Sequence, residues 1–85
     1  MHPAGATVLI VDDNASARRL LEVRLRTLRC EPVMAADGKE ALDAIHRDLP
    51  ALMLLDLEMP RMGGMELLRA LRREGIDLPT IVITA

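Results

Sequence analysis

Two apolar runs in this chain end in carboxylates: Val8-Leu9-Ile10-Val11 in Asp12-Asp13, and Leu52-Met53-Leu54-Leu55 in Asp56. A buried strand that closes on acids delivers negative charge to one edge of a sheet. If the two runs are parallel neighbours, their carboxyl ends coincide, and three carboxylates meet where an open α/β sheet binds its ligand. Three anions at one point need a cation to join them or a proton to neutralise one. Oxygen donors suit a hard divalent ion, so the spacing predicts a partly hydrated Mg2+ site. Thr84, at the matching end of a last apolar run, would place a hydroxyl beside it. Each feature has a plainer reading. Adjacent acids often begin a helix, Asp often ends a strand, and Thr84 is an ordinary β-branched residue.

The elements that must position these groups alternate along the chain. Thr7–Val11 is short and mostly β-branched, which predicts a strand. Asn14 is a good N-cap for a helix from about Ala15 to Leu28. Ala17, Leu21, Leu25 and Leu28 recur there at helical spacing, with Leu20 beside them and arginines on the other side. Pro32 and Val33–Ala35 suggest a second strand. Asp37-Gly38-Lys39-Glu40 resembles a capping box opening a helix to about Asp48, striped by Ala41, Leu42 and Ile45. After Pro50, the uninterrupted apolar run Leu52–Leu55 implies burial on both faces, as in a central parallel strand. A loop from Leu57 to Gly64 carries Pro60 and Gly63-Gly64. A third helix, about Met65 to Glu74, buries Leu67, Leu68 and Leu71, and Gly75 stops it. Pro79 leads into a strand over Thr80–Thr84. The order βαβαβαβ predicts a doubly wound parallel α/β sheet with right-handed crossovers. Residues 7–85 form the domain and residues 1–6 a flexible start.

Eighty-five residues make one small domain, and 51% hydrophobic content makes it globular rather than disordered. With no aromatic residue, its core is Leu, Ile, Val, Met and Ala. A net charge of −2 of mixed sign exerts no bulk pull toward nucleic acid or an anionic membrane. No apolar run approaches the ~20 residues of a membrane span, and residues 1–5 lack a signal peptide's apolar stretch. Cys30 is alone, so no intramolecular disulfide forms. A reducing cytoplasmic setting is expected, with Cys30 a small apolar residue. Arg18, Arg19, Arg24, Arg26 and Arg29 make the first helix basic. Without aromatics, that is a solvated or docking face rather than a nucleic-acid contact. His2 and His46 lack companion ligands and read as exposed and structural; the methionines read as core or loop filler.

The chain resembles the receiver domain of two-component response regulators. The resemblance runs from Val8-Leu9-Ile10-Val11-Asp12-Asp13-Asn14 through Asp37-Gly38, Asp56-Leu57-Glu58-Met59-Pro60 and Gly63-Gly64 to Pro79 and Thr84-Ala85. It implies a flavodoxin-like fold and a phosphoacceptor, Asp56, that is not a turnover enzyme. It also implies that Asp13 ligates Mg2+ directly, Asp12 mostly through water, and Glu58 through its backbone carbonyl. The Thr84 hydroxyl would bond the phosphoryl group. The donor would be a histidine kinase or histidine phosphotransfer protein, met by the start of the first helix and nearby loops. In such chemistry Mg2+ offsets the repulsion between carboxylate and phosphoryl anions.

The family's domain continues with a helix, a fifth strand ending in a lysine, and a last helix. The expectation is a receiver lacking these, since Lys39, the one lysine, opens the second helix and cannot replace that group. The fourth strand would then be an apolar edge, so self-association through it or through the uncovered helical face is expected. Two other functions compete. One is a degenerate receiver serving only as an interaction module. The other is an aspartyl-nucleophile phosphatase, suggested by Leu54-Leu55-Asp56-Leu57-Glu58, although the Asp12-Asp13 pair fits receivers better. Glu58 itself reads as a solvated loop acid, or as an acid that repels phosphodonors or adds to metal binding. Neither glycine-rich nucleotide fingerprint is present.

Overall fold

The computed structural model describes residues 5–83; residues 1–4 of the expected flexible start, and Thr84, lie outside them. The elements are β1 (Thr7–Val11), α1 (Ala15–Thr27), β2 (Glu31–Ala35), α2 (Gly38–Arg47), β3 (Leu52–Asp56), α3 (Gly64–Arg73) and β4 (Thr80–Ile83). The strands form one parallel sheet in the order β2-β1-β3-β4. The chain therefore steps from β1 to one side and then returns to the other, which makes the carboxyl ends of β1 and β3 the topological switch point. Val11 pairs with Leu55 there. One residue further along each strand lie Asp12 and Asp56.

The pleat sorts the apolar side chains between two faces. Leu9, Val11, Met53 and Leu55 point to one side and pack with Ala41, Ala44 and Ile45 of α2 and Leu67 and Leu71 of α3. Val8 and Ile10 point to the other and meet Leu25 of α1, flanked by Leu21, Cys30, Leu52 and Leu54. Residues as buried as Leu9, Met53, Leu55 and Leu67 contribute about 1.5–3 kcal/mol each relative to exposure.

The faces are unequal, and this corrects the expectation for β3. Met53 and Leu55 are fully buried, but Leu52 and Leu54 are only partly so. Among the described residues two helices cover the first face, whereas α1 alone covers the second and lies over β1 and β2. The expected stripe of α1 is narrower for the same reason. Leu25 is buried and Leu21 partly buried, while Leu20 and Leu28 are exposed. Leu28 is the C-cap, beyond the last full turn. At the other edge β4 pairs with β3, and Ile81 and Val82 are exposed. Cys30 is a free thiol in the smaller apolar cluster, as its expected role requires.

The expected caps form. Asn14 Oδ1 accepts from the Ala17 N–H at 2.9 Å, and Asp37 Oδ1 from the Glu40 N–H at 2.9 Å. The second is a capping box with one arm displaced, because Glu40 Oε1 accepts from the Ala36 N–H rather than from the cap residue's own. His46 Nε2 lies 2.7 Å from Glu74 Oε1, joining the C-terminal ends of α2 and α3 on the surface. Among the described residues no helix is long and apolar enough to cross a membrane.

Candidate metal centre

At the switch point Asp12, Asp13 and Asp56 each direct a carboxylate oxygen to one place, and these atoms all lie within 4.8 Å of one another. Asp12 is 8% exposed, Asp13 is exposed and Asp56 is half-buried. The group therefore has a dry wall and a wet side. Asn14, Ala17, Glu58 and Ile83 complete the depression around it.

Asp12 and Asp56 are fixed by main-chain contacts. The Asp12 N–H donates to the Ala35 carbonyl at 3.1 Å, extending the β1–β2 ladder by one bond. Asp12 Oδ1 accepts from the Asn14 N–H at 2.9 Å, an Asx turn that bends the chain into α1. The Arg18 guanidinium donates to the Asp12 backbone carbonyl at 2.6 Å, so it holds the turn rather than neutralising the side chain. Asp56 Oδ1 accepts from the Glu58 N–H at 3.1 Å, the same turn at the end of β3. The Gly64 N–H then closes the loop onto the Leu57 carbonyl at 3.2 Å. Glycine is required at 64, because a Cβ there would lie 2.7 Å from Leu57 Cα and 2.9 Å from the Asp56 carbonyl oxygen. That close approach lets α3 begin directly beneath the loop.

Among the described residues the ion pairs are Arg26–Glu22, Arg61–Asp37 and, when the imidazole is protonated, His46–Glu74, and none involves these three acids. Two carboxylates 4.8 Å apart repel by about 1 kcal/mol at water-like screening, and by about 3.5 kcal/mol at the effective dielectric of a protein surface. A counter-charge placed among the three would relieve that repulsion. The donors are all oxygens, with one open side for water, and this fits a small hard cation such as Mg2+ rather than zinc or copper.

Of the residues singled out in the sequence, Asp12, Asp13 and Asp56 come together. Glu58 stands at the rim, its N–H committed to Asp56 and its side chain exposed. Thr84 lies outside the described residues, though its predecessor Ile83 lines the depression. Sequence reasoning missed the clamp by Arg18, which carries no signal among so many helix arginines. It also read Asn14 only as a cap, although the spacing Asp12-x-Asn14 is that of an Asx turn.

Residues 8–85 match the family described as the response regulator receiver domain. The chain belongs to this family. Among curated relatives, the receiver is 45% identical over 78 residues to the probable transcriptional regulator ycf27 of Porphyridium aerugineum, covering 92% of this chain and 32% of that protein. It thus spans about a third of the length of such relatives. Among solved structures, the receiver domain of Francisella response regulator 1452 superposes with a TM-score of 0.89 at 30% identity, covering 94% of this chain and 66% of that one. Response regulator TrrA of Thermotoga maritima, solved in complex with Mg2+-BeF, gives 0.86 at 34% identity, covering 93% and 69%. The flavodoxin-like architecture expected from the sequence is the one these receivers share.

Proposed function

We propose that this receiver accepts a phosphoryl group from a phosphohistidine partner onto Asp56, with Mg2+ held by Asp12, Asp13, Asp56 and the Glu58 backbone carbonyl. The observation that carries this reading is the acid triad, three carboxylates within 4.8 Å and without a Lys or Arg partner among the described residues. The Mg2+-BeF complex of TrrA supports the choice of ion.

The residues divide the work. Asp56 Oδ1 is occupied by the Glu58 N–H, which leaves Oδ2 as the attacking oxygen. As the new O–P bond forms, the N–P bond of the donor breaks and its electron pair returns to the imidazole. When bound, Mg2+ supplies positive charge against the repulsion between the phosphoryl oxygens and the triad. The main-chain N–H groups of Leu57 and Met59 and the Thr84 hydroxyl would take the remaining oxygens. Asn14 and Ala17, at the start of α1, border the depression, so a histidine kinase or histidine phosphotransfer protein reaches Asp56 across that end of the helix. The domain is an acceptor rather than a turnover enzyme and works in the cytoplasm. In a longer regulator it serves as the phosphorylated input, without touching nucleic acid itself.

Mg2+-dependent binding of beryllofluoride tests the pocket. Fluorine NMR suits a chain without aromatic fluorophores. A bound signal that needs Mg2+ and disappears in Asp56→Asn is expected. No bound signal at saturating Mg2+ would favour a pure interaction module instead.

A further inference from the structure

The turn between β2 and α2 contributes no side chain to the depression, yet it is bonded to two of the segments that do. Ala35, at the end of β2, accepts the Asp12 N–H. Two residues later, Asp37 is 4% exposed; one of its oxygens caps α2, and the other lies 3.2 Å from Arg61 Nε. The Gly38 N–H donates to the Met62 carbonyl at 2.8 Å. Arg61 and Met62 belong to the loop that carries Glu58, and Arg61 sits at a φ of 59°, a conformation a non-glycine residue adopts only when held. The contact is close. A Cβ on residue 38 would lie 2.6 Å from the Met62 carbonyl oxygen and 2.8 Å from Met62 Cγ.

We infer that the β2–α2 turn is a positioning element for the acid site. It sets the distance between the β1 carboxylates and the β3–α3 loop through the Asp37–Arg61 ion pair and the Gly38–Met62 contact. Its reach is the Glu58 peptide, whose N–H bonds Asp56 and whose carbonyl is the proposed metal ligand. The inference rests on the metal-site reading above, but one of its consequences appears without metal. Displacing Arg61 or Met62 moves the loop, so the Glu58 N–H no longer meets Asp56 Oδ1.

Three variants separate positioning from mere stability. Arg61→Asn removes the guanidinium while keeping a residue that tolerates positive φ. Arg61→Lys restores the charge. Gly38→Ala forces the Met62 carbonyl outward. For each, the Glu58 amide resonance is recorded in metal-free protein, and Mg2+ affinity is measured by calorimetry well below the melting temperature. Gly38→Ala is expected to weaken Mg2+ by about tenfold, the lower end of the usual effect of a supporting contact. Arg61→Asn is expected to cost about threefold, the scale of an exposed ion pair, with Arg61→Lys near wild type. The Glu58 amide shifts in Gly38→Ala and Arg61→Asn and not in Arg61→Lys. If Gly38→Ala does not fold, the two Arg61 variants decide. A Glu58 amide and a Mg2+ affinity unchanged from wild type in Arg61→Asn overturn the inference. Failure of the wild-type protein itself to bind Mg2+ overturns the metal-site reading instead, and the metal-free amide comparison still judges the turn.

Discussion

Replacing Asp13 with Asn stabilises the metal-free protein and removes most of what Mg2+ adds. Asp13 is exposed, and its carboxylate belongs to a triad whose oxygens lie within 4.8 Å of one another. At water-like screening the Asp56 carboxylate costs it about 1 kcal/mol, whereas the adjacent Asp12 repels it in the unfolded chain as well, so the relief is worth about 1 kcal/mol at low salt. For a domain of this size that raises the thermal midpoint by about 4–8 °C. The same change deletes a proposed direct ligand, and Mg2+ affinity is expected to fall at least about tenfold. Since bound metal stabilises only in proportion to its occupancy, most of the Mg2+-induced gain then disappears. Far-UV circular dichroism melts of both proteins, with and without Mg2+, read both effects. An unchanged metal-free midpoint together with a full Mg2+ response would contradict the account of the triad. Asp12→Asn is the less clean variant, because Asp12 is buried and accepts the Asn14 N–H.

The order of elements was legible because each signal has a local cause. Short β-branched runs, the Asn14 and Asp37 caps and the breaks at Pro50, Gly75 and Pro79 all act within a few residues. What periodicity alone misjudged was coverage, which depends on how many helices lie over each face, although the resemblance led to the expectation of an uncovered helical face. Leu52–Leu55 is uniformly apolar, yet Leu52 and Leu54 are only partly buried because α1 sits over β1 and β2. Leu20 and Leu28 have the right chemistry for a buried stripe and are exposed for the same reason. Periodicity tells which side chains share a face, not whether anything meets that face.

The site was legible to the extent that its charges end strands. Two buried strands that stop on acids can converge in few ways, and the parallel β1–β3 register is one of them. The supports were not legible, since they are single hydrogen bonds to main-chain carbonyls, some of them between segments far apart in sequence. Arg18 is one helix arginine among several until its guanidinium is seen on the Asp12 carbonyl. Gly38 looks like the second residue of a turn until the Met62 carbonyl is found where its Cβ would be. Lys39 is exposed in the first turn of α2 and does not line the depression.

The largest effect belongs to Asp56. Among the three acids it is the one at the end of β3, half-buried, with one oxygen fixed by the Glu58 N–H and the other available to an incoming phosphorus atom. Asp12 is too enclosed for that role, and Asp13 lacks a main-chain donor to orient it among the described residues. Asparagine at 56 keeps the acceptor for Glu58 and removes the nucleophile, so the loss of reaction should be complete while the fold persists. The decisive measurement is intact mass spectrometry of the chain after incubation with a small acyl phosphodonor, with Mg2+ and with chelator. Borohydride trapping then locates the acyl phosphate. The account predicts one added phosphoryl group, dependent on Mg2+, located at Asp56 and absent from Asp56→Asn. Modification at another residue, or undiminished incorporation in Asp56→Asn, would contradict it.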